Sequence, residues 1–225
     1  MPFGVAHLAA LGTVGLVSFG LTALVRRRPA ASSTVRVAIA LLIVLLIAFE
    51  MAMAVREGWF DWRIFVPFEL CDAALVLAVF TLLVPRRPLA EVLYFWTASG
   101  SVLAMLTPIV PWSFPRWEFV VFFGLHGLSL AAALVLVFGA SLRPRPGAPT
   151  RVFFVTAAWA GFVALMNLIL DANYMFLRRK PIAPTLLDWM GPWPLYLVTG
   201  AAVAFVLFWL LGLPFRRDRK AGSEA

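Results

Sequence analysis

The chain has 225 residues, of which 63% are hydrophobic and only 13% charged. A water-surrounded domain of this size does not tolerate that balance, so the lipid bilayer is the solvent to reason from. A net charge of +8 suggests nucleic acid at first sight. The basic residues instead sit in short clusters at the ends of apolar runs, where they meet lipid headgroups, and nucleic acid is excluded as a partner.

Seven apolar runs follow one another along the chain, over residues 5–25, 35–55, 65–84, 89–107, 117–140, 151–170 and 195–213. Each is close to the ~20 residues a helix needs to cross ~30 Å of hydrocarbon. The runs are continuous and lack alternation, which predicts helices rather than barrel strands. The first run is too long for a signal-peptide core and no basic segment precedes it, so it counts as a span. The expected fold is all-α: one polytopic bundle of seven transmembrane helices over residues 1–225, with no room for a separate soluble domain.

Alternate connections carry Arg26, Arg27, Arg28 and Arg36, then Arg86 and Arg87, then Arg143, Arg145 and Arg151, then Arg216, Arg217, Arg219 and Lys220. The other side carries only Arg56, Arg63, Arg116, Arg178, Arg179 and Lys180. This asymmetry predicts the amino terminus outside and the carboxyl terminus in the cytoplasm, in the cell's inner membrane.

Polar side chains within the spans need a structural or chemical reason to be there. Glu50 falls near the outer end of the second span, and Glu69, Cys71 and Asp72 fall in the outer part of the third. Cys71 is seven residues past Ile64, roughly 10 Å along a helix, and His126 is nine past Trp117, roughly 13 Å, so the two can share one depth. Asn167, Asp171 and Tyr174 share a face of the sixth helix if it persists that far. Together these residues can line a polar chamber that opens outward.

Cys71 is the only cysteine, which rules out an intramolecular disulfide and a thiolate-built metal site. No cofactor is implied. As residue types, Cys71 reads either as a small packing residue or as a nucleophile, and His126 as a structural hydrogen-bonding group or a base. The chemistry that needs both is covalent acyl transfer, in which the thiolate attacks an ester and the histidine moves the protons. Asp72, Glu69 or Asp171 can orient the imidazole, and Asn167 or Asn173 can supply an amide proton to an oxyanion. The acids can equally serve helix-to-helix hydrogen bonds or pair with Arg56, Arg63 and Arg178. Arg178, Arg179 or Lys180 can meet a lipid phosphate. Pro181, Pro184, Gly191, Pro192 and Pro194 mark a structured cap before the last span, with Trp189 and Trp193 at headgroup level. Pro108, Pro111 and Pro115 mark a second rigid connection.

The segments VPFELCD, LAEVLYFWTASGSVLAMLTP, FVVFFGLHG, NLILDANYMFLRRKP and LLDWMGPWPLY resemble the YwaF-like integral membrane proteins, which are related to eukaryotic transmembrane protein 164. The resemblance runs over residues 65–215. It implies an acyltransferase that remodels phospholipids through an acyl-cysteine intermediate and an essential histidine, with the cysteine at Cys71 and the histidine at His126. Phospholipids or lysophospholipids are then the partners. The bacterial pattern commonly has a histidine where this chain has Glu69, which leaves that position an electrostatic role. A transporter or receptor-like membrane protein that binds a small solute or lipid is the other reading of the same acids and asparagines. A reporter fused to the carboxyl terminus is expected to be active only in the cytoplasm; activity of an extracytoplasmic reporter there overturns the predicted orientation.

Overall fold

The computed structural model describes residues 3–108, 112–182 and 185–215. Pro111, Pro184 and the basic residues Arg216, Arg217, Arg219 and Lys220 lie outside them. The described residues form an all-helical protein: α1 (Val5–Arg27), α2 (Ser32–Glu57), α3 (Trp62–Phe65), α4 (Leu70–Leu83), α5 (Arg87–Trp96), α6 (Val102–Leu106), α7 (Trp117–Leu134), α8 (Ala148–Ile169) and α9 (Leu195–Leu211). A π-helical turn, Thr97–Ser101, joins α5 to α6, and another, Val135–Gly139, prolongs α7. Six continuous helical stretches are long and apolar enough to cross a membrane, as expected of a polytopic membrane protein.

The expected third span departs from the prediction. Residues 65–84 are mostly apolar, but Pro67 disfavours helical backbone at Val66, which is extended (φ −68°, ψ 127°). The helix restarts only at Leu70, after an extended Glu69, and α4 has 14 residues, about 21 Å. Hydrophobicity reports what a segment is soluble in and is blind to this break.

Elsewhere the ends follow local chemistry. Gly58, in left-handed backbone (φ 78°), terminates α2, and its N–H and that of Trp59 close onto the carbonyls of Val55 and Ala54. Pro88 sits in the first turn of α5, where its missing N–H is harmless.

The chain falls into two compact units, one running to Arg143 and one from Pro144. In the first, α7 is the most buried of the long helices. It packs against α1, α2, α4 and the Thr97–Ser101 turn. Close approach is possible because its glycines face its neighbours: a Cβ on Gly127 would lie 2.7 Å from Val14 Cγ2, and one on Gly124 would lie 3.0 Å from Leu46 Cδ1. Met105, Phe119 and Phe123 form a core that α1 covers with Ala6, Ala10, Leu11 and Val14.

His7 is buried between helices. The Phe3 N–H donates to its Nδ1 at 2.8 Å, so Nε2 carries the proton and donates to the Met105 carbonyl at 2.7 Å. Arg36 caps the end of α4 by donating to the Leu82 carbonyl at 2.6 Å, where helix carbonyls lack intrahelical donors. Arg87, at the start of α5, donates to the Arg143 carbonyl at 2.5 Å in the connection that follows the second π-helical turn.

In the second unit α8 pairs with α9, with Phe153 edge-on to Phe205 at 5.2 Å. The proline-rich cap before α9 is ordered as a short helical turn, Leu186–Met190, closed by reciprocal bonds between Thr185 and Asp188. The Thr199 hydroxyl fastens it to α9 by donating to the Met190 carbonyl at 2.9 Å.

Gly127→Ala is expected to destabilise the protein by about 1–3 kcal/mol, because the new methyl meets the branched Val14 side chain. Gly12→Ala, with nothing within 4 Å of its Cβ position, is the control, and thermal unfolding in detergent compares them.

Candidate functional site

The restart of α4 after Pro67 decides where the cysteine stands. Glu69 is the residue before the helix, and Cys71 and Asp72 are its second and third residues. Cys71 is therefore in the first turn of α4, rather than two turns along a helix from Ile64. Backbone N–H groups of a first turn lack intrahelical acceptors, and their partial positive charge stabilises an anion forming on the sulfur. Asp72 and Glu69 flank the thiol in sequence. Asp72 in turn feels Glu69 and Glu50, so α2 and the start of α4 bring three acids into one neighbourhood.

His126 stands where the sequence places it, because α7 does begin at Trp117. Its end of α7 is tied to the end of α2 by the Trp117 indole, which donates to Glu57 at 3.1 Å, while Trp59 stacks on Trp117 at 6.4 Å. The imidazole is half-buried, under the Phe122 ring at 4.3 Å between centroids. Its Nδ1 lies 2.8 Å from the Phe122 carbonyl. A carbonyl can only accept, so Nδ1 holds the proton and Nε2 keeps its lone pair. The expected orienting carboxylate is thus replaced at Nδ1 by the carbonyl one turn back, which is the acceptor a helical histidine reaches first.

Two serines connect the π-helical turn with the histidine helix. Ser101 is buried in that turn, which packs against α4. Its Oγ lies 3.2 Å from that of Ser129, also buried, and Ser129 donates to the His126 carbonyl at 2.8 Å. Neither serine stood out in the sequence, since serine in an apolar helix ordinarily bonds its own backbone. Glu91, buried within α5, was likewise passed over. An acidic residue inside an apolar run was the signal that could have found it.

The remaining predicted residues gather in the second unit. The α8 helix ends at Ile169 and Asp171 is in left-handed backbone (φ 47°), so Asp171 and Tyr174 do not continue a helix face with Asn167. A folded loop assembles them instead. Asn167, fully buried, accepts from the Tyr174 N–H at 2.7 Å and donates to the Tyr174 carbonyl at 3.0 Å. Asn173 accepts from the N–H groups of Arg178 and Arg179 and donates to the Arg179 carbonyl at 2.8 Å. Both amides thereby hold loop backbone. Arg178 pairs with Asp171 at 2.7 Å and also reaches the carbonyls of Asn167 and Ala172. Asp171, Ala172, Asn173, Arg178 and Arg179 line a pocket of about 230 Å³. The Tyr196 hydroxyl closes the loop onto α9 by donating to the Phe176 carbonyl.

The pattern of the TMEM164 family matches residues 2–212. The chain belongs to this family. It is 30% identical over 171 residues to an uncharacterized protein of Treponema pallidum (strain Nichols), covering 73% of this chain and 68% of that one. No solved structure matches the chain.

Asn167→Ala removes the side chain that accepts from the Tyr174 N–H and donates to its carbonyl, which keeps the Leu177 N–H, and about 1–3 kcal/mol of local stability is expected to be lost. Faster proteolysis between α8 and α9, with the rest of the protein still resistant, is the measurement.

Proposed function

We propose that this TMEM164 family protein is a membrane-embedded lipid acyltransferase, or an acyl hydrolase when water is the acceptor, with Cys71 as nucleophile and His126 as base. The observation that carries the reading is membership of this family over nearly the whole chain, with Cys71 in the first turn of α4 and His126 on α7, against which α4 packs. The Nδ1–H form of His126 is the tautomer a base working through Nε2 requires.

In the proposed reaction His126 Nε2 takes the thiol proton and Cys71 Sγ bonds to the ester carbonyl carbon of a phospholipid. The carbon–oxygen bond breaks, and the leaving oxygen takes the proton from the imidazolium to depart as a lysophospholipid. An acceptor hydroxyl then gives its proton to Nε2 and attacks the thioester, and the sulfur leaves and is reprotonated. Asp72 and Glu69 are proposed to act electrostatically beside the sulfur. Arg178, with Arg179, is proposed to hold a lipid phosphate at the pocket in the α8–α9 loop, which Asn167, Asn173 and Tyr174 keep in shape. In this reading α4 is the seventh crossing of a cytoplasmic membrane, with the amino terminus outside.

The convergence of Glu50, Glu69 and Asp72 favours a second reading, a transporter or receptor-like protein that binds a cationic solute. The two are separated by incubating the purified protein with phospholipid and lysophospholipid and weighing it intact. An acyl adduct is expected on the wild-type protein and absent from Cys71→Ala and Cys71→Ser. His126→Gln is expected to slow acylation by about 10²–10⁴-fold while the protein stays assembled. Unchanged lipid turnover in a folded Cys71→Ala protein overturns the proposal in favour of binding or transport.

A further inference from the structure

At one end of the first unit the connections close into a ring. The Pro29–Ala31 turn joins the end of α1 to the start of α2. Arg36, one turn into α2, donates to the Leu82 carbonyl at the end of α4. The chain then turns into α5, whose first residue, Arg87, donates to the Arg143 carbonyl. The second π-helical turn, just before Arg143, leads back to α1: a Cβ on Gly139 would lie 3.2 Å from Val25 Cβ and 3.4 Å from the Thr22 carbonyl. Arg26, Arg27 and Arg28 at the end of α1, Arg36, and Arg86 and Arg87 thus belong to one end of the helices. Residues 20–37, 80–90 and 136–143, which make up the ring, contain neither Asp nor Glu.

Among the described residues, the Arg36 and Arg87 side chains bond only carbonyls, and those of Arg26, Arg27, Arg28 and Arg86 meet no hydrogen-bonding or charged partner. A carbonyl is neutral. It takes one of the five donors of a guanidinium and fixes where the group stands, while the charge and the other donors remain for an anion. Arg36 is half-buried, where an uncompensated cation is most costly. The surface at the same helix ends is apolar, with Leu24, Val37, Leu83 and Val84 all exposed. A small soluble anion has no use for that surface. A phospholipid has, because its phosphate meets the arginines while its acyl chains lie along these side chains.

We propose that this ring is a docking site for an anionic phospholipid of the leaflet it faces, with the phosphate held by Arg36 and Arg87 and the negative charge favoured further by Arg28 and Arg86. Neither Cys71 nor the loop pocket takes part, so the site stands whether or not the protein transfers acyl groups. The full-length protein in neutral detergent is titrated with fluorescent phosphatidylglycerol and, separately, with fluorescent phosphatidylcholine, whose choline offsets its phosphate charge, at about 0.15 M salt. Phosphatidylglycerol is expected to bind about tenfold more tightly. Arg36→Gln and Arg87→Gln are each expected to weaken it about fivefold and to change phosphatidylcholine by about twofold or less. Arg36→Gln also removes the bond to Leu82. The double variant Arg28→Gln/Arg86→Gln removes no side-chain bond of the described fold, and it too is expected to weaken phosphatidylglycerol about fivefold or more. Arg56→Gln/Arg63→Gln takes the same net charge from beyond the other end of α2 and is expected to change neither lipid. Three results overturn the proposal: equal binding of the two lipids, an equal loss in the Arg56/Arg63 variant, or displacement of the lipid by inorganic phosphate or an oligonucleotide at matched ionic strength.

Discussion

In hydrocarbon no water replaces a missing hydrogen-bond partner, and the placement of this protein's few polar side chains follows from that constraint. Most hydroxyls are served within their own helices: Thr13, Thr22, Thr81, Thr107 and Thr156 each donate to the carbonyl four residues back. Such groups are locally satisfied. The informative side chains reach outside their own element. His7 bonds the start of α1 to α6, Asn167 holds the loop beyond α8, and Ser101 reaches from the π-helical turn to α7. These long-range bonds fix features that apolar packing, which has no directional preference, cannot fix.

The same constraint explains the use of α7 as the axis of the first unit. Its glycines let α1 and α2 approach closely, and the dispersion attraction between those surfaces replaces the hydrophobic drive that lipid does not supply between helices. An axis packed this tightly holds His126 and Ser129 in fixed register with the helices around them. Arginines work differently, Arg36 serving a carbonyl at the end of α4 and Arg87 one in the connection at Arg143.

How much was legible in the sequence depends on what each signal measures. Run length and composition identify α1, α2, α7, α8 and α9, and the depth of His126 follows from the start of its helix at Trp117. The same reasoning misplaces Cys71, because Pro67 interrupts the backbone inside an unbroken apolar run. The spacing of Asn167, Asp171 and Tyr174 suggested a helix face; their association survives, but through a loop whose left-handed residues no periodicity announces. Ser101 and Ser129 could not be read in advance, since their roles depend on a π-helical turn and on the partners that tertiary packing brings within reach.

The short α4 also bears on the membrane around it. A 14-residue helix falls about 9 Å short of a ~30 Å hydrocarbon slab. Lipid answers such mismatch by thinning beside the protein, and polar flanking residues answer it by reaching for the interface. Thinning at the start of α4 brings the glycerol layer, where acyl chains are esterified, toward the turn that carries the sulfur. The break imposed by Pro67 thus does more than shorten a helix: under the proposed function it sets the level at which a lipid ester and the thiol would meet.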